Sequence, residues 1–365
     1  ADDAFVCVFY GDPSSTHRTM TSKITVNSSL TCTSSTPAVF SIVGNSYRLK
    51  YHPGHQKVLF VYRTWTSGLA INPLSIGAGT SGSVGQGSDT ILDSNYSTHV
   101  TPELVYDSNQ QRMVVIYGTN SGGGKTVAKV ETGYSGSQIT FGSETSVPDA
   151  NGASGTVSAD YDATAQKIVV TYADMTISHA EWRRVVVGTV TGGSTNTVTF
   201  GTSSLLKDNS SARGTMGGSS KSSHMAFARV VYDPDAGQCF IVFNYRINGG
   251  NAFTMRVTPI NITSGTNFNF GTELELNSSH NYHNSTGAVY ATGPNKLAVF
   301  GQNFVSPEDA KYYIVSTTNQ GSNVSGFIGF SDAAYTNGQT ATIKLVGAVS
   351  ENQSGLTVGE KYYVQ

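Results

Sequence analysis

Residues 106–117, YDSNQQRMVVIY, decide how this chain is read. An aromatic–acid pair, Tyr106-Asp107, opens a short polar turn, Arg112 follows, and four apolar residues lead to Tyr117. Apolar and β-branched residues bounded by turn formers describe two strands joined by a tight turn. The unit returns at Tyr161-Asp162 with KIVVTY ending at Tyr172, and at Tyr232-Asp233 with CFIVF ending at Phe243. Looser copies run from Tyr51 to Tyr62 and from Tyr290 to Phe300. In the four closest copies the two aromatics stand eleven positions apart. That constancy marks a repeated supersecondary unit.

Outward from this hairpin, each copy continues into a third apolar run: TVAKV after Lys125, RVVVGTV from Arg184 and FTMRV from Phe253. A fourth run carries a Phe-Gly signature at Thr140-Phe141-Gly142, Thr199-Phe200-Gly201 and Asn269-Phe270-Gly271. Four antiparallel strands recurring every 52 to 71 residues are the pattern of propeller blades. The second-strand motif occurs six times, as FVCVFY at Phe5, KVLFVY at Lys57, RMVVIY, KIVVTY, QCFIVF and KLAVF at Lys296. The expectation is an all-β chain: a six-bladed β-propeller of four-stranded blades over residues 1–324, followed by a small C-terminal β-module over 325–365. The first motif starts at the chain's opening, so the first blade is expected to lack its innermost strand. The strand-like YYVQ at the other end likewise reads as interrupted.

Composition narrows the function. Charged residues make up 13% of the 365 residues and the net charge is −2, so no basic footprint for nucleic acid is present. No apolar run reaches the roughly 18 residues of a membrane-spanning helix, and no membrane insertion is expected. Cys7, Cys32 and Cys239 form neither a disulfide framework nor a zinc pattern. No Gly-x-Ser-x-Gly elbow, phosphate loop or His-Glu-x-x-His motif occurs. No catalytic residue, cofactor or metal is therefore expected. Paired carboxylates for glycoside cleavage could come from distant loops, with Asp12, Asp174 and Glu181 as candidates.

The C-terminal stretch points to a family. Phe327-Ile328-Gly329-Phe330, the Asn337-Gly338-Gln339-Thr340-Ala341 turn, Asn352-Gln353-Ser354-Gly355-Leu356-Thr357 and Lys361-Tyr362-Tyr363-Val364 resemble a segment of virion proteins from marine cyanophages and related tailed phages. There it follows a repeat-built domain in tail fibres or appendages. The resemblance implies a structural protein of the virion tail or surface appendage, outside the cell, whose partners are other virion proteins and a host-surface glycan or receptor; the alternative is a purely structural or decoration virion protein with no ligand. A homo-oligomer is compatible with a fibre, although no heptad or fibrous repeat supports one.

The binding face follows from strand order. The Tyr-Asp turns share one end of the propeller, and the longer, varied loops share the other, where binding usually sits. Candidate ligand-binding residues at that end are Arg63, Trp65, His99, Tyr117, Asp174, Trp182, Arg183, His224, Tyr245, Arg246 and His283. Aromatic planes beside Asp, Asn and Arg suit a sugar, whose apolar face stacks while paired polar groups hold its hydroxyls. The His residues come from different blades and are expected to act as polar loop residues.

Overall fold

A computed structural model describes residues 3–10, 19–26, 32–34, 38–40, 47–64, 68–77, 84–96, 100–121, 124–151, 155–174, 182–193, 196–206, 228–246, 253–280, 282–292, 295–303, 309–317, 330–331 and 343–344. The chain divides into two compact units, Ala1–Thr317 and Thr318–Gln365. The expected boundary at 324/325 lies outside the described residues. Of the C-terminal stretch, Phe330–Ser331 is paired antiparallel with Ile343–Lys344.

The larger unit is built from small antiparallel sheets in a propeller arrangement. Blade 1 begins with Tyr47–His52 and Lys57–Thr64, blade 2 with Glu103–Asp107 and Arg112–Thr119, and blade 3 with Ser158–Asp162 and Lys167–Asp174. Blade 4 begins with Ala228–Asp233 and Gln238–Arg246, and blade 5 with Tyr282–Ala291 and Lys296–Asn303. The inner strands neighbour one another in chain order from blade 1 to blade 5, and all five line one central cavity.

The expected count of six blades is corrected to five. In the N-terminal sheet, Thr19–Val26 lies between Asp3–Tyr10 on one side and Cys32–Ser34 and Ala38–Phe40 on the other. Asp3–Tyr10 carries the second-strand motif, and among the described residues no strand pairs on its inner side. A blade takes its place around the axis through its innermost strand. Six copies of the second strand therefore accompany five inner strands among the described residues.

The four-stranded blade is also modified. In blades 1 to 4 the outermost strand is split into two pieces, both paired with the third strand; in blade 2 these are Ile139–Phe141 and Thr145–Asn151 against Lys125–Tyr134. The break falls after the Phe-Gly signature, where the Gly142 and Gly201 amides donate to Val130 O and Val187 O at 2.9 Å. Glycine is required by close approach: a Cβ on Gly201 would lie 2.3 Å from Thr266 Oγ1, in the outer hairpin of the next blade.

The second-strand motif is apolar throughout because both its faces are covered. Met113, Val115 and Tyr117 pack with Leu59, Val61, Leu69 and Ile71 of blade 1. Val114 and Ile116 pack with Ile168, Val170 and Val186 of blade 3. Alternate side chains of one strand thus serve two inter-blade cores. Each fully buried aliphatic contributes about 1.5–3 kcal/mol.

Candidate functional site

The inner strands set the chemistry of the central cavity, whose volume is about 410 Å³. Three positions before the turn aromatic stand Arg48, Glu103, Ser158, Arg229 and Gly287, and one position before it stand Lys50, Val105, Asp160, Val231 and Val289. Period-2 geometry places these residues on one face of each strand, in two tiers. In the first tier, Glu103 Oε2 faces Arg48 Nε at 3.6 Å and Arg229 Nη1 at 3.9 Å. The Leu104 amide donates to Glu103 Oε1 at 3.2 Å, and the Val230 amide donates to Ser158 Oγ at 3.0 Å. In the second tier, Lys50 Nζ is 3.6 Å from Asp160 Oδ1. The amides of Tyr161 and Tyr232 donate to Asp160 Oδ1 and Oδ2, each at 3.0 Å.

Burial shifts the first tier. It raises the Glu103 carboxyl above the usual carboxylate range, against the opposing pull of Arg48 and Arg229. It also lowers the Arg229 guanidinium, with Arg48 adding like-charge repulsion. Arg183 is fully buried outside this lining, and burial with the nearby Arg229 charge brings its guanidinium down to about 9.

The turn end is tied together from blade to blade. Asp107 Oδ1 accepts the amides of Asn109 and Gln110, both at 2.9 Å, and Asp162 Oδ1 accepts that of Ala165 at 2.8 Å. Asp233 Oδ1 accepts those of Asp235 and Ala236 at 2.9 and 3.0 Å. The last turn residue adopts positive φ in every blade, as Gln56, Gln111, Gln166, Gly237 and Asn295. The turn aromatic then reaches back to the preceding turn: Tyr232 Oη lies 2.9 Å from Thr164 Oγ1, and Tyr290 Oη donates to Asp235 Oδ2 at 2.8 Å.

Blade 1 has histidine where blades 2 to 4 have Asp and blade 5 has Ala291. His52 Nδ1 accepts the His55 amide at 3.2 Å, which leaves the neutral ring's proton on Nε2, donated to Glu131 Oε2 at 2.8 Å. Glu131 also bonds His55 Nε2 at 2.5 Å and the Met113 amide at 2.9 Å. Burial alone would raise its carboxyl, but the bonds from His52, His55 and Met113 outweigh burial and hold it below the usual range. The His52 and His55 rings stack at 3.9 Å, and His55 stacks on Tyr134 at 4.4 Å. Among the described residues His52, His55 and Glu131 are the one His/Cys/Asp/Glu group with metal-ligand spacing. Two features set them apart from a metal centre: His52 Nδ1 is an acceptor, where a ligating histidine donates, and Arg112 stands 3.8 Å from the carboxylate.

The expected ligand residues are only partly placed. Arg63 is half-buried at the loop end of the second strand of blade 1. Tyr117 is corrected to a core residue: it is fully buried, and its Oη donates to Glu144 Oε1 at 2.9 Å. Arg183 is likewise buried rather than displayed on the surface. Asp174 and Trp182 are paired backbone partners flanking the loop between the second and third strands of blade 3. Tyr245 and Arg246 end the second strand of blade 4, and His283 lies in the inner strand of blade 5. Trp65, His99 and His224 lie outside the described residues, as do Asp12 and Glu181. So do most residues of the varied loops.

The sequence reading missed Arg48, Lys50, Glu103, Asp160 and Arg229, and also Glu131. The signal for the first five was present: charged residues one or three positions before the turn aromatic of an inner strand. Glu131 had no local signal.

The fold defines the class, a β-propeller of small antiparallel sheets. No protein-family model and no curated protein matches the chain. Among solved structures, an endo-arabinase from Bacteroides thetaiotaomicron is 11% identical, with 74% of this chain and 93% of that one covered and a TM-score of 0.43. The Aleuria aurantia lectin, in complex with α-methyl-L-fucoside, is 10% identical over 87% of this chain and 96% of its own, with a TM-score of 0.42. A putative glucose dehydrogenase from Thermus thermophilus is 10% identical over 86% and 99%, with a TM-score of 0.44. Likenesses this distant assign no activity.

Proposed function

We propose that this protein is a tail-fibre or appendage protein of a tailed phage, whose propeller adheres to a glycan on the host surface. The observation that carries the glycan reading is the cavity. Its volume of about 410 Å³ falls in the range of small-molecule sites. Its walls carry guanidinium, ammonium and carboxylate groups, a combination that holds hydroxyls. The virion context rests on the C-terminal resemblance at 327–364. Several copies on one particle make individually weak sites sufficient. The test uses the purified chain on host cells and on a glycan array. Binding that blocks phage adsorption and is lost after periodate treatment of the cells is the expected result. Absence of binding to both cells and array overturns the reading.

One observation favours depolymerisation as a second reading. The Glu103 carboxyl, raised by burial, shares the cavity with Asp160, and glycoside cleavage pairs a protonated acid with a carboxylate. Reducing-end release from the bound polysaccharide, abolished in Glu103→Gln, selects that reading over adhesion.

A further inference from the structure

Blade 5 ends the row of blades with an apolar face. Val289 pairs with Ala298, Ala298 with Ile314, and Phe300 with Tyr312, so these five side chains, none of them charged, share one face of the sheet. The opposite face, with Leu297, Val299 and Val315, packs on blade 4. Blade 4 holds Val231, Val242 and Val257 at the positions of Val289, Phe300 and Tyr312. In blade 4 they are 7%, 0% and 3% exposed, whereas in blade 5 they are 53%, 48% and 71% exposed. Among the described residues, an inter-blade face is thus left without its neighbour. Apolar faces of this kind mark contact sites.

The far side of blade 1 is covered instead. Val58, Phe60, Tyr62, Ala70 and Leu74 form a buried cluster with Val84, on the face away from blade 2. Thr19–Val26 of the N-terminal sheet neighbours Val84–Gln86, which places that sheet before blade 1. Its strand Asp3–Tyr10 is apolar from Phe5 to Phe9. A strand covered on one face alternates apolar and polar residues, and a continuous apolar run calls for cover on both. Blade 1 covers one face of the N-terminal sheet. The first and last inner strands, Tyr47–His52 and Tyr282–Ala291, do not pack side by side as the other successive inner strands do. A sheet therefore has room between blades 5 and 1.

We propose that the open face of blade 5, Val289, Phe300, Tyr312 and Ile314, is the seat of the N-terminal sheet, which docks its second face there and closes the propeller. Apolar burial drives the closure, and the chain's own connection makes it intramolecular. The sheet remains a partial blade, because it docks by a face rather than by an inner strand. Val289 also lines the central cavity, so the docked sheet walls the cavity beside blade 5.

Hydroxyl-radical footprinting of the full chain tests this, at a concentration where sedimentation shows a monomer and with the exposed Tyr51 as reference. Tyr312 is expected to be oxidised several-fold more slowly than Tyr51. Cys7→Asp and Val8→Asp are tested separately, because adjacent strand residues lie on opposite faces. One of them is expected to raise the Tyr312 rate to that of Tyr51 while the circular dichroism of the chain is unchanged. Tyr312→Asp, harmless on an open face, is expected to lower the thermal midpoint by about 5 °C. Oxidation of Tyr312 as fast as Tyr51, with an unchanged midpoint in Tyr312→Asp, overturns the proposal. So does protection that neither Cys7→Asp nor Val8→Asp removes, since another segment then covers the face. Protection that appears only as the chain dimerises at higher concentration assigns the face to a second copy and overturns it too.

Discussion

Blades 1 and 4 close the same turn with different chemistry. In blade 4, Asp233 caps the turn by accepting two amides through one oxygen, and its second oxygen accepts from Thr317 Oγ1. In blade 1, His52 caps the turn with one ring nitrogen and donates the N–H of the other to Glu131 of blade 2. Both caps are fully buried. An aspartate or a histidine thus serves as the side-chain acceptor at this position in blades 1 to 4, whereas blade 5 has Ala291 there. What differs is the second contact: from Asp233 it runs to the chain after blade 5, and from His52 to the neighbouring sheet. A carboxylate at position 52 would stand against Glu131, whereas a neutral imidazole donates to it.

The largest expected effect comes from removing that partner. Glu131→Ala leaves two histidines and the Met113 amide facing a buried gap, and should destabilise the fold by about 3 kcal/mol in urea unfolding at pH 7. The deficit should also depend on pH. Because the Glu131 carboxyl is held below its unfolded value, its contribution is fully present above the unfolded pKa and is lost as pH falls through the folded one. The curves of the two proteins should converge in acid, and a gap constant with pH would show that the Glu131 charge does not hold His52 and His55.

A smaller loss is expected at the ordinary cap. Asp233→Ala strands two turn amides and should remove about 2 kcal/mol. If both variants lost the same amount, the two turns would be equivalent after all. The smallest effect concerns the residue that closes the turn. Gln166 holds φ 57° where blade 4 has Gly237 at φ 64°. Gln166→Gly should stabilise by about 0.5 kcal/mol, strain relief slightly exceeding the entropy that glycine adds to the unfolded chain. A loss in the thermal midpoint would show that the Gln166 side chain contributes more than its backbone costs.

The hairpin was legible because it is local. Tyr106-Asp107, the capped turn and the apolar second strand are neighbours along the chain, so their spacing repeats with the structure. The Phe-Gly signature was legible as a repeat, but its role was not. Gly201 is glycine because of Thr266 in the next blade, a residue no local pattern connects to it. Tyr117 reads as a strand-end aromatic available to a ligand, and the fold turns it inward because both faces of the second strand are covered by neighbouring blades. The cavity residues were visible as charges on inner strands. Their meeting was not, since Arg48, Glu103 and Arg229 come from three different blades.

By itself, then, the sequence determined an all-β chain of repeated antiparallel hairpins, with the turn, its cap and the interior second strand, because each is set by residues a few positions apart. Tertiary structure decided how many sheets hold an inner strand around the axis, which side chains face the cavity, and which carboxylate His52 engages. Those outcomes depend on contacts between separate blades, 79 residues apart for His52 and Glu131, and on how much water the packed sheets leave around each charge.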